Sequence, residues 1–293
     1  MRAGVMNDEL RTIQRFLERR SFVELTARER VAALLDDGTF RELLGPFDRL
    51  HSRWLEMQHI VIQEDDGVVV ARGLIDGQPA VIAAIESAFQ GGSVGEVGGQ
   101  KIACALDLAR ADNEQGVPTR PVLLLETGGV RLQEANLGLG VIAEIQASII
   151  ALRRLIPVVA VISGPVGCFG GMSLAAALCS SLIVTPEGRL GMNGPEVIEQ
   201  EAGIAELDAA DKRLIWSLIG GEQRSAVGLV DALVMDDIDA IGAAVRDAFG
   251  RGVPNAHRSE QVDFFLERFA AIDPAAIRDG ETLRALWRRG ERP

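Results

Sequence analysis

The stretch Val158–Gly171, VVAVISGPVGCFGG, decides how the rest of the chain is read. Val158 to Ile162 is a run of apolar, mostly β-branched residues, the pattern of a buried strand. Gly164, Pro165, Gly167, Gly170 and Gly171 then predict a turn, and the small apolar run MSLAAALCS (172–180) predicts a buried helix. The first N–H groups of a helix have no internal partner, and the helix dipole favours negative charge there. Glycine lets the main chain approach a ligand with no Cβ in the way. A second unit of this kind lies upstream: Pro121–Glu126 (PVLLLE) as strand, Thr127–Arg131 (TGGVR) as turn, and Leu132 onward as helix. Two such turns can aim N–H donors at one oxygen from two directions, which is the geometry of an oxyanion hole.

Outward from these units the same alternation continues. Residues 7–58 read as amphipathic helices, with LTARERVAALLDDGTFREL (25–43) at helical spacing and Asp37-Gly38 as a stop. They predict a peripheral arm packed on the core or on a partner. HIVIQE (59–64) and GVVVARGLIDGQPAVIAAIE (67–86) switch to period two and predict short strands, with Asp76-Gly77 as a hairpin turn. Phe89–Glu96 holds a third glycine turn, followed by a helix over Val97–Asn113 with Ile102, Leu106 and Ala109 on one face. A further helix spans about 133–155, with Ile142, Ile145, Ile149 and Leu152 aligned. SLIVT (181–185) reads as a strand, Pro186-Glu187-Gly188 as a turn, and RLGMNGPEVIE (189–199) as a loop running into a helix. Asp208–Gly220 and Ala240–Phe249 read as helices and ALVMD (232–236) as a short strand. The tail, Glu260–Arg292, reads as polar helix ending in Arg284, Arg288, Arg289 and Arg292. Strand, glycine turn and helix recurring in this way predict an α/β fold, and their irregular spacing excludes a solenoid of fixed period. The organisation expected is a helical arm (1–58), a core (59–252) and a helical tail (253–293).

Composition bounds the function. The chain has 293 residues, 47% hydrophobic and 25% charged, which suits a globular protein rather than a disordered one. A net charge of −12 makes nucleic acid an improbable partner. MRAGVMNDEL lacks the apolar stretch of a signal peptide, and the best membrane candidate, Ala147–Ile162, is broken by Arg153-Arg154 and Pro157. Cys104, Cys168 and Cys179 form no C-x-x-C pair, so a zinc ribbon is excluded. All three sit in apolar or glycine-rich surroundings and read as buried free thiols; with no signal peptide, a reducing, cytoplasmic setting is expected.

Other chemistries fare poorly. Gly91-Gly92-Ser93-Val94-Gly95 matches the G-x-S-x-G nucleophile elbow, but only His257 lies downstream to complete a triad, and short glycine motifs are cheap among 32 glycines. Gly92, Gly95 and Gly98 give G-x-x-G-x-x-G, which is not the dinucleotide fingerprint, and there is no P-loop. His51, His59 and His257 share no metal-ligand spacing, so no metal is expected. What remains is a set of glycine turns suited to holding an anionic oxygen, such as a thioester enolate.

The residues themselves resemble a known family. RERVAALLDDGTFREL, FQGGSVGEVGGQKI and ETGGVRLQE, then GPVGCFGGMSLAAALCSSLIVTPEGRLGMNGPEVIEQ, are similar to the carboxyltransferase branch of the crotonase superfamily, and within it to malonate decarboxylase β subunits that work without biotin. Glu126-Thr127 stands where carboxyltransferases show Asp-Ser, and the four-cysteine zinc ribbon of bacterial acetyl-CoA carboxylase is absent. The resemblance implies a crotonase-like spiral of ββα units with peripheral helices. It implies a malonyl thioester substrate, carried on the CoA-like prosthetic arm of an acyl carrier protein, with no cofactor bound by this chain itself. It implies a γ subunit of related fold as heterodimer partner, together with the acyl carrier protein and a carrier-protein transferase. The oxyanion role falls on Gly129, Val130, Gly170 and Gly171, and substrate contact on Gly91, Gly92, Ser93, Gly128, Cys168 and Phe169. Two other functions fit less well: the carboxyltransferase β subunit of a biotin-dependent enzyme, and a silent scaffold that shapes a partner's site.

Overall fold

The turn at Asp76-Gly77 is where the sheet begins. Both residues have positive φ (50° and 68°), and the two-residue loop pairs β2 (Val68–Ile75) antiparallel with β3 (Gln78–Ile85). The computed structural model describes residues 18–59, 67–134 and 136–289. From β3 onward the strands run parallel: β4 (Arg120–Leu124), β5 (Val159–Ile162), β6 (Ser181–Val184) and the short β7 (Ala232–Leu233). The order in the sheet is the order in the chain. Every residue of β5 and β6 is buried, as strands covered on both faces require.

Helices cover both faces. On one lie α3 (Glu96–Glu114), α4 (Asn136–Leu152) and α5 (Gly171–Leu178), which pack Ile102, Leu106, Ile142, Ile145, Ile149 and Met172 on the sheet. On the other lie α1 (Ala27–Leu34) and α9 (Ile238–Arg251), with Phe22, Val31, Ile241 and Val245 against Val69, Ile82 and Val122. Thr26 and Glu29 close a reciprocal cap at the start of α1. α2 (Arg53–Met57), α6 (Pro195–Ala202), α7 (Lys212–Ile219) and α8 (Gly221–Ala226) are shorter, and the tail forms α10 (Val262–Ala270) and α11 (Gly280–Arg289), joined through a 3-10 turn at Pro274–Ala276.

Beyond the carboxyl ends of the main strands, the chain makes a second, very short β layer. Parallel bridges join Val94 to Val130, Thr127 to Cys168, and Cys168 to Leu190. Each glycine turn therefore pairs with the next, which is the ββα spiral expected of a crotonase-like fold.

Several expectations change. Residues 41–44, inside the span read as helical, are strand β1 (Arg41–Leu44), antiparallel to β2. The helix stops at Leu35, and pairing with an open sheet edge overrides the high helix propensity of Arg, Glu and Leu in RELL. The segment after Val130 first makes a 3-10 turn at Leu132–Glu134, before α4. Cys104 is exposed rather than buried, because it lies on the outward side of α3. The expected helix at 7–17, most of the HIVIQE strand, and Arg292 fall outside the described residues.

Candidate active site

Three glycine turns meet at the carboxyl edge of the parallel strands. Thr127 N–H donates to Gly167 O at 2.7 Å, and Phe169 N–H returns to Thr127 O at 3.1 Å, so the turn after β5 is laced to the turn after β4. The Gly91–Ser93 turn joins them: Gly128 N–H donates to Gly91 O at 3.1 Å, Val94 N–H to Gly129 O at 2.8 Å, and Arg131 N–H to Val94 O at 2.8 Å. Gly92 lies so close to Glu126 that a Cβ there would overlap the Glu126 carbonyl oxygen. Gly170, at φ 61° and ψ −147°, holds a conformation essentially reserved for glycine and turns the chain into α5. A Cβ on Gly170 would sit 3.4 Å from the Gly129 Cα, so the two turns touch.

Asking where each N–H goes separates the residues expected to donate. Gly128 is tied to Gly91, Gly129 N–H donates to Thr127 Oγ1 at 3.0 Å, and Gly170 N–H to Met192 O at 2.8 Å. These three glycines shape the turns but have no donor to spare, which corrects the oxyanion role expected of Gly129 and Gly170. Val130 N–H and Gly171 N–H have no acceptor among the described residues. Val130 stands on one turn, and Gly171 is the first residue of helix α5 on the other, where the dipole adds positive potential. An unpaired pair of backbone donors at the sheet edge is what an anionic oxygen needs.

The remaining expected residues supply no reacting group. Cys168 is fully buried, and burial pushes its thiol well above the ordinary range, so it is no thiolate nucleophile. Cys179 is likewise pushed up to about 12 by burial. Phe169 is buried under Arg189, whose guanidinium lies 5.4 Å from its ring and 4.9 Å from that of Trp216. Ser93 Oγ accepts from Arg131 Nε at 3.2 Å, while His257 lies 3.4 Å from Ser180 instead. No Ser93–His257 pair exists, and the elbow reading falls. Among the described residues no group of three His, Cys, Asp or Glu is placed to hold a metal ion.

Sequence reasoning passed over the charges that brace these turns. Arg131 and Glu134 form a buried pair at 3.2 Å; Arg131 also binds Ser93 O at 3.0 Å, and Glu134 caps the start of α3 through Glu96 N–H. Arg189 donates to Pro165 O at 2.7 Å and so holds the turn after β5 from outside. Gln146 on α4 donates to Gly171 O at 2.9 Å. Glu126, at the foot of the first turn, is 2% exposed. In the sequence it shows as a charge closing an otherwise apolar strand, PVLLLE, at the position where the resembling carboxyltransferases carry Asp.

An α/β spiral that offers two free N–H groups from neighbouring glycine turns is a crotonase-like enzyme scaffold. Within that class, this chain belongs to the carboxyl transferase domain family, which matches residues 20–261. It is 41% identical, over 232 residues, to the malonyl-S-ACP:biotin-protein carboxyltransferase MADC of Malonomonas rubra, with 76% of this chain and 73% of that protein covered. Its structure is similar to a chain of a Pseudomonas malonate decarboxylase hetero-tetramer in complex with malonate, with TM-score 0.88, 62% identity, and 94% of this chain and 99% of that one covered. A chain of the Pseudomonas malonate decarboxylase MdcD-MdcE hetero-dimer is also similar, with TM-score 0.73, 59% identity, and coverage of 86% and 97%.

Proposed function

We propose that this chain is the β-type subunit of a malonate decarboxylase and that it decarboxylates a malonyl thioester carried on an acyl carrier protein. The observation that carries the reading is the pair of unengaged donors, Val130 N–H and Gly171 N–H, on two turns in contact. The thioester carbonyl oxygen docks between them. The bond from the α-carbon to the carboxylate breaks, CO₂ leaves, and the electron pair moves through the α-carbon onto that oxygen as an enolate. A proton then adds to the α-carbon and gives the acetyl thioester. One oxyanion donor is commonly worth about 3–4 kcal/mol in the transition state.

The site is one-sided. Leu132, Leu137, Leu174 and Met192 are exposed around the turns, and apolar rims of this kind mark partner surfaces. A second crotonase-like subunit as the opposite wall fits the hetero-dimeric and hetero-tetrameric assemblies of the similar Pseudomonas proteins. A carrier protein with a CoA-like arm would bring the substrate, and a transferase would load that arm. Among the described residues no helix is long and apolar enough to cross a membrane.

The second reading is a carboxyltransferase that passes the carboxylate to a biotin protein, favoured by the similarity to the M. rubra enzyme. The deciding experiment reconstitutes this chain with its partner subunit and a malonyl-loaded carrier protein, with no biotin present and avidin added. Stoichiometric CO₂ release supports the decarboxylase. Turnover that appears only with a biotinyl protein transfers the assignment to the second reading.

A further inference from the structure

The two donors belong to different turns, so their separation depends on how the turn after β5 sits on the turn after β4. One side chain spans both. Glu126 leaves β4 at the foot of the first turn, and its Oε1 accepts the Gly164 N–H at 2.6 Å, at the start of the second. The Gly167 N–H is held within its own turn, on Gly164 O at 3.1 Å, so the residue that Glu126 grips also closes that turn. Glu126 Oε2 lies 3.7 Å from Arg30 Nη1, a buried guanidinium on α1. Arg30 is fixed in turn: it donates to Phe22 O at 2.9 Å and Val23 O at 2.5 Å, and its guanidinium lies 5.7 Å from the Phe22 ring centroid. The chain of contacts thus runs from the N-terminal segment, under the sheet edge, to the turn that carries Gly171.

A carboxylate in this place is costly. Burial pushes the Glu126 carboxyl above the usual range, opposed by Arg30, the Gly164 and Gly167 N–H groups, and Arg189. Well-packed apolar residues commonly serve stability as well as a buried ion pair does. At 2% exposed, with its oxygens turned to Gly164 N–H and Arg30, Glu126 is not placed to touch the substrate. What it does have is a backbone donor of the neighbouring turn, Gly164 N–H.

We propose that Glu126 is a positioning residue, whose carboxylate, braced by Arg30, fixes the 164–171 turn against the 127–130 turn so that Val130 N–H and Gly171 N–H converge on one oxygen. This rests on the oxyanion reading above. Misplacing a catalytic group by about 1 Å can cost on the order of a hundredfold in rate, so slackening this clamp should act on turnover and spare binding.

The test uses the reconstituted complex with the malonyl-loaded carrier protein. Glu126→Ala removes the acceptor; Glu126→Gln keeps an oxygen for Gly164 but loses the charge; Arg30→Met removes the brace. Expected are a kcat loss of about a hundredfold in Glu126→Ala, a smaller loss in Glu126→Gln and Arg30→Met, KM unchanged within about threefold, and a double variant Arg30→Met/Glu126→Gln no worse than the worse single. Amide hydrogen exchange should rise in residues 163–171 and stay level in β2 and β3. Should Glu126→Ala fail to fold or assemble, the same split in the two milder variants decides. A kcat within threefold of the parent in folded, paired variants, or exchange at 163–171 that does not change, overturns the proposal. If the parent complex releases no CO₂, the decarboxylase reading fails, and the exchange measurement still judges the clamp on its own.

Discussion

Replacing Val130 by its α-hydroxy acid counterpart, through nonsense suppression, exchanges one backbone N–H for an ester oxygen and leaves the side chain in place. The structure makes this perturbation specific, because Val130 N–H has no acceptor among the described residues and folding loses no hydrogen bond at that atom. The side effect is on the Gly129 carbonyl, which becomes an ester carbonyl and accepts more weakly from Val94 N–H, now at 2.8 Å. A hydrogen bond is worth about 1 kcal/mol net, so the stability change should stay below that. The catalytic change should be far larger: loss of one oxyanion donor costs on the order of a hundredfold to a thousandfold in kcat, or about 3–4 kcal/mol. Single-turnover CO₂ release from the malonyl thioester gives the rate, and thermal unfolding and complex size serve as controls. The same exchange at Gly128, whose N–H is spent on Gly91 O at 3.1 Å, should invert the pattern, with a measurable stability loss and little effect on rate. A folded, assembled Val130 ester that turns over within threefold of the parent refutes the assignment of this N–H to the oxyanion.

Other consequences are simpler to test. Cys168→Ala should leave kcat within about threefold while lowering the melting temperature, because a fully buried thiol pushed upward by burial takes part in packing and not in chemistry. The buried Glu126 carboxyl has a raised pKa in the folded state; its contribution to stability is therefore fully present below pH 4.5 and is lost as pH rises through the folded value. Plotted against pH, the melting temperature of the parent relative to Glu126→Gln should fall across that window, and a difference that rises instead would contradict the burial argument. Dialysis of the complex against a strong chelator should leave CO₂ release unchanged, and a loss restored by zinc or magnesium would reveal a site that the residues do not suggest.

Much of this protein is written locally. β-branched runs such as VVAVI and SLIV specify buried strands, because a strand covered on both faces is apolar throughout. Asp76-Gly77 specifies its hairpin by its tolerance of positive φ, and Ile142, Ile145, Ile149 and Leu152 specify the buried face of α4 by their spacing. The glycines at 91–92, 128–129 and 170–171 likewise mark where backbone would approach backbone. Which N–H groups stay free was not legible, since that depends on acceptors far away in the chain: Gly170 is spent on Met192 and Gly128 on Gly91, and only the assembled spiral brings those carbonyls within reach. The same holds for β1, whose residues became strand because β2 offered an edge. It holds for the pairing of Glu126 with Arg30, which are 96 positions apart and meet only because α1 and the foot of the β4 turn share one end of the sheet. Sequence determined the elements and the turns, through short-range sterics and hydrophobic period; the tertiary structure decided which donors were left over, because a hydrogen bond is a contest for partners that only the folded chain can settle.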